Sequence, residues 1–112
     1  MAHRALPKSE WQAYCDRVSK GLSGKRAEIE IAGIQLGAQT EARTLPLIGI
    51  TYDPKDDLVE IALQGLDHLI AHPREIYVVD GIEGLSSMEI VDAERRKQIV
   101  KLADPIMLAA PR

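Results

Sequence analysis

Two histidines four residues apart, His68 and His72, are the residues of this chain best suited to holding a metal. On a helix that spacing sets both imidazoles on one face, as zinc sites require. A metalloprotease motif needs a glutamate beside the first histidine, but Leu69 follows His68, and Pro73 closes the segment directly after His72. Asp67, Glu75 or His3 would have to supply a third ligand, and no spacing gathers them. The pair therefore reads first as two histidines of a loop. A small enzyme or metal site around His68 and His72, with Asp67 or Glu75 as its carboxylate, is the alternative.

Asp53, Asp56 and Asp57 form the densest carboxylate cluster. A calcium loop needs ligands at alternating positions, a central glycine and a distal glutamate. Pro54 and Lys55 stand among these aspartates instead, and proline with aspartate makes a turn. Cys15 lies among Trp11, Tyr14 and Val18, where a thiol packs as a small hydrophobe with no base at hand to activate it. Ser86-Ser87 does not make the Gly-x-Ser-x-Gly elbow of a hydrolase. Neither Gly33–Gly37 nor Gly81–Gly84 has the strand, turn and helix of a phosphate-binding loop. No cofactor is expected, and no catalytic residue stands out.

Charge is unevenly spread. Residues 1–26 carry six basic side chains against two acidic ones, a balance of +4, while the remaining 86 residues balance at −7. Arg95, Arg96, Lys97 and Lys101 add a basic patch toward the C-terminal end. If the patch and an N-terminal helix faced the same way, they would form a stripe for RNA or another anion. Stacking on bases uses exposed rings, yet the chain has no Phe, one Trp and three Tyr. A solvated basic helix face complementing an acidic sheet is the favoured reading, and nucleic acid the less favoured partner.

The elements that must position these residues follow from hydrophobic period. Trp11, Tyr14, Cys15, Val18 and Leu22 fall along one stripe of a 3.6-residue helix, expected at about 9–20. Ser9 with Gln12 fits a capping box at its start, and Gly21 and Gly24 offer positive φ at its end. From Lys25 the period becomes 2. Strand patterns lie at about 27–31, 34–43, 47–52, 58–63, 75–79, 87–91 and 97–102, with Leu45-Pro46 as an interruption. Residues 64–72 are spaced for a single helical turn, since Leu66, Leu69 and Ile70 recur at three and four. A tail, 103–112, follows. The expected fold is α+β: one N-terminal helix packed on a bent antiparallel sheet or small barrel of five or six strands.

The chain has 112 residues, 46% of them apolar and 28% charged, which fits one domain over 1–112. A net charge of −3 argues against a dedicated DNA binder. No apolar run reaches the roughly 18–20 residues that span a bilayer. The first seven residues lack the apolar stretch of a secretory signal, and one cysteine excludes an internal disulfide. A cytoplasmic setting is expected.

Three groups of residues carry a resemblance. They are Leu6-Pro7-Lys8-Ser9-Glu10-Trp11, the hairpin segment Leu47 to Asp57, and the run Gly65 to Ile70 with His72 to Val78. Together they resemble a small bacterial family known only as a domain of unknown function, over roughly Leu6 to Leu102. The resemblance implies a bacterial cytoplasmic protein and supplies no activity, ligand or site residue. A complete set of folding signals without a reactive constellation points to non-catalytic binding. The expected partners are a second copy of the chain, as a homodimer, or another protein or small molecule.

Overall fold

A computed structural model describes residues 2–21, 26–33, 37–82 and 84–106. Strand β1 (Ala2–Ala5) leads through a 3-10 turn, Lys8–Glu10, into helix α1 (Trp11–Lys20). Seven strands follow: β2 (Arg26–Gly33), β3 (Gly37–Asp53), β4 (Leu58–Leu63), β5 (Leu66–Ala71), β6 (Pro73–Gly81), β7 (Gly84–Asp92) and β8 (Lys97–Ile106).

Helix α1 buries Trp11, Tyr14, Cys15 and Val18, the stripe that the spacing predicts. Leu22 and Gly24 lie outside the described residues. The helix starts two residues later than expected, and no side chain caps it. The Ser9–Gln12 capping box is not made. The Glu10 N–H instead donates to the Pro7 carbonyl at 2.9 Å, closing the 3-10 turn, and the Trp11 indole N–H donates to the Leu6 carbonyl at 2.9 Å. Gly21 has φ −87°, so its freedom to go left-handed is unused.

All strand pairs are antiparallel, in the order β1-β6-β7-β8-β2-β3-β4-β5. The sheet is open, so of the two expected forms the bent sheet is found, with eight strands rather than five or six. The bend lies in β3. Its first part pairs with β2 as far as Arg26↔Pro46, and from Leu47 it pairs with β4. Pro46 does not interrupt the strand. It sits where β3 changes neighbour, a place where a missing N–H costs no ladder bond. Register shifts flank the change, at Ala27–Glu30 on β2 and Leu47–Gly49 on β3, and such bulges bend and twist a strand.

Two strands were not foreseen. β1 has four residues and no readable period. β5 replaces the expected helical turn at 64–72: Leu66, His68 and Ile70 face inward and Asp67, Leu69 and Ala71 outward. The C-terminal segment also differs, since β8 runs on to Ile106, past the expected end at 102. Pro105 falls beyond the β2 pairing, which stops at Ala27↔Leu102.

One apolar core joins Leu6 and the α1 stripe to Leu47, Ile50, Val59, Ile61, Ile70, Ile76, Val78, Met88, Ile90 and Val100. Trp11 meets Tyr52 edge to face, with ring centroids 5.2 Å apart. Helix α1 lies against β3, and the Ser19 hydroxyl both donates to the Ile50 carbonyl (2.7 Å) and accepts from the Ile50 N–H (2.9 Å).

A polar latch ties α1 and β1 to β6. Arg4 grips Asp80 through both carboxylate oxygens, Nε at 3.1 Å and a terminal nitrogen at 2.8 Å, and the Tyr14 hydroxyl donates to Asp80 Oδ2 at 2.8 Å. The Arg4 bonds, and then the Tyr14 bond, hold the Asp80 carboxyl below its usual 3.8 against the opposing pull of burial. A carboxyl depressed in the folded state contributes stability above its unfolded value, and that contribution disappears as pH falls through the folded one. Tyr14→Phe keeps the buried ring and removes one charge-assisted bond. It is expected to cost about 1–2 kcal/mol at pH 7. Denaturant titrations at pH 7 and pH 3 should show the gap from wild type narrowing at the lower pH. A gap that stays constant would exclude this role for Tyr14.

Candidate functional site

His68 and His72 line one cleft together with Arg96, one member of the basic cluster. It measures about 260 Å³ and lies between the end of β5 (His68–His72) and the β7–β8 turn, with Asp92, Glu94, Arg96 and Gln98 on its far wall.

Register explains what β5 offers there. The His72 N–H donates to the Asp57 carbonyl at 2.9 Å, so the positions that exchange bonds with β4 are 66, 68, 70 and 72. The backbone N–H and C=O groups of Asp67, Leu69 and Ala71 therefore point the other way. Among the described residues no strand pairs with that side of β5, which is an end strand of the sheet. Leu69 is 56% exposed on it.

The far wall is built on Asp92, which is 3% exposed. Its Oδ1 accepts from the backbone N–H groups of Glu94 (2.9 Å) and Arg96 (3.0 Å), closing the turn in which Arg95 adopts φ +65°. Its Oδ2 accepts from Arg96 Nε (3.0 Å) and Gln98 Nε2 (2.9 Å). With its amide nitrogen committed to a carboxylate, Gln98 turns its oxygen toward His68 Nε2. An amide oxygen only accepts, so His68 Nε2 carries the proton of this bond. This bond spans the cleft, from the end strand β5 to β8 in the middle of the sheet.

His72 stands apart from this chain of bonds. It has φ +54° just beyond β5, and its Nδ1 lies 3.6 Å from Asp57 Oδ2. Asp57 also accepts from the Tyr52 hydroxyl at 2.8 Å, and with Lys8 and His72 nearby its carboxyl is held below the usual value, chiefly by the Tyr52 bond. Asp53 takes the N–H groups of Lys55 (2.9 Å) and Asp56 (3.4 Å), so these aspartates serve the turn, as expected. Because β5 is a strand, four residues span about 13 Å, and the shared helix face that motivated a zinc pair is not formed. No group of three His, Cys, Asp or Glu suited to a metal occurs among the described residues.

The basic cluster is divided. Arg96 is held by Asp92 and lies 3.6 Å from Glu94 Oε2. Lys97 and Lys101 occupy the outer face of β8, flanking Glu89, which stands opposite Ile99. Helix α1 packs on the inner side, so helix and lysines do not share one face. Cys15 is fully buried, and burial first, then Asp16, pushes its thiol up to about 12. It is core.

Sequence reasoning passed over Asp92 and Gln98. The signal was available: along β7 the inward positions read Met88, Ile90, Asp92, and along β8 they read Gln98, Val100. A polar residue in the inward register of a strand must find partners inside.

A family model described as "Family of unknown function (DUF5335)" matches residues 2–111. An uncharacterized protein of Aquifex aeolicus (strain VF5) is 39% identical over 109 residues, covering 96% of this chain and 98% of that protein. No solved structure matches. No helix among the described residues is long and apolar enough to cross a membrane.

Proposed function

We infer the function of this chain from its own geometry, because it belongs to a family of unknown function, DUF5335. The reading is binding without catalysis, with the free edge of β5 receiving an extended segment as an added strand. One observation carries it: the N–H and C=O groups of Asp67, Leu69 and Ala71 point away from β4 and are unpaired among the described residues, and Leu69 and Ala71 line an open cleft. Main-chain bonds to a sheet edge supply affinity in this mode, and alternate side chains supply selectivity. The bond from His68 to Gln98 holds β5 in place from its inner face, so the edge is rigid before anything binds.

Exchange of single amides provides the test. A display library of seven-residue peptides is selected on the purified protein, and backbone amide exchange is then followed by NMR with the selected peptides. A bound strand should slow exchange at Asp67, Leu69 and Ala71 and leave His68 and Ile70, already bonded to β4, unchanged. Leu69→Pro should abolish the effect, since proline is tolerated at an edge but donates no bond. Exchange at these three amides as fast as in an unpaired strand, with no selected peptide to slow it, would reject the reading.

A further inference from the structure

We propose that the strand added at β5 is the β5 of a second copy, paired antiparallel about a twofold axis at Leu69. The proposal rests on the strand-addition reading above and specifies the partner. Two chains related by a twofold must meet through the same patch on each. Among symmetric registers, only the one centred on Leu69 uses all three outward backbone positions. It sets Asp67 opposite Ala71 of the partner subunit, Leu69 opposite the partner's Leu69, and Ala71 opposite the partner's Asp67.

Three features of the chain favour that register. No like charges oppose each other in it: Asp67 faces an alanine. Centring on Asp67 instead would set two carboxylates together, which destabilises a strand pair. The register also covers Leu69 with its own mate, and Leu69 is one of three large apolar side chains exposed among the described residues. Lastly, β5 lacks several of the devices that keep an edge from pairing, with Asp67 the one carboxylate on its outer side. It has no proline or lysine, and its ladder to β4 has no register shift. The other end strand, β1, has four residues against six in β5, so it offers less to pair with.

The experiment reads mass and swaps charge. Sedimentation equilibrium of the full chain should give twice the 12.4 kDa monomer mass at micromolar concentration. Leu69→Lys and Leu69→Glu, each alone, should sediment as folded monomers, because each sets two like charges directly opposite. An equal mixture of the two variants should recover the dimer, because the register then places lysine against glutamate. Circular dichroism confirms that each variant is folded, and the half-exposed position makes that the expected result. A wild-type monomer at all concentrations would overturn self-pairing, and so would variants that remain dimeric. Monomeric variants that fail to recombine would overturn the register. If the wild type is monomeric yet peptides protect Asp67, Leu69 and Ala71, only self-pairing falls. If neither dimer nor protection is seen, the strand-addition reading falls with it.

Discussion

Asp92→Ala is expected to lower the unfolding free energy by about 3 kcal/mol, although the side chain lies at a hairpin turn rather than in the apolar core. Four donors converge on its carboxylate: two backbone N–H groups of the turn, Arg96 Nε and Gln98 Nε2. Water reaches the exposed turn and the half-exposed Arg96 once the carboxylate is gone, so those losses are partly repaired. Gln98 is 4% exposed and has no second acceptor among the described residues, so its amide bears the larger share. An orphaned buried donor costs about 1–3 kcal/mol, and each lost charge-assisted bond adds to that. Asp92→Asn separates charge from shape. It can keep the turn bonds through Oδ1, but it presents an amide nitrogen to two other donors and should lose roughly half as much. Urea titrations with an unchanged m-value would measure both. A second readout is local: with Gln98 freed from Asp92, imidazole nitrogen shifts of His68 should no longer report Nε2 as a fixed hydrogen-bond donor. A loss under 1 kcal/mol for Asp92→Ala, with His68 unchanged, would show that the network does not hold the cleft wall.

Ser19→Ala should cost about 2–4 kcal/mol, despite alanine being the better helix former. Ile50 stands opposite Ile61 at a position where both residues turn their backbone groups away from one another. The described part of β2 begins at Arg26, opposite Pro46, so among the described residues no strand meets Ile50 on that far side. The Ser19 hydroxyl supplies the missing partner, donating to one group and accepting from the other. Alanine leaves both unsatisfied beside a fully buried side chain, at about 1–3 kcal/mol for each. Improved helix propensity returns only about 0.5 kcal/mol. The Ile50 amide should exchange faster than its β3 neighbours in the variant. Gln12→Ala on the exposed face of α1, within about 0.5 kcal/mol of wild type, is the control. A Ser19→Ala protein as stable as the control would mean that packing alone seats the helix.

Local period carries most of the element map. Trp11, Tyr14, Cys15 and Val18 mark the buried face of α1, and the expected strands at 47–52 and 58–63 differ from β3 and β4 by one residue at most over their shared hairpin. β5 was misread because Leu66, Leu69 and Ile70 satisfy a helical spacing as well as a strand one, and six residues are too few to decide between them. The decision is made by β4, whose backbone offers a ladder that a single helical turn cannot match. The helix start shows a similar competition. Ser9 and Gln12 have the identities for a capping box, but the Trp11 indole bonded to Leu6 fixes the entry path and a 3-10 turn results.

The sites follow a different rule. His68, His72 and Arg96 are conspicuous in the sequence, and they do line one cleft. Their partners come from distant positions: Gln98 for His68, Asp92 for Arg96, Asp57 for His72. The sequence alone located α1, its buried face and the strands other than β1 and β5, since hydrophobic period is a property of neighbouring residues. Only the tertiary structure decided that the sheet bends at Pro46 and stays open, that β5 ends it with three backbone positions unpaired, and that Asp92 and Gln98 stand behind His68. Each of these depends on strand order and register, which join residues far apart along the chain and leave no local pattern to read.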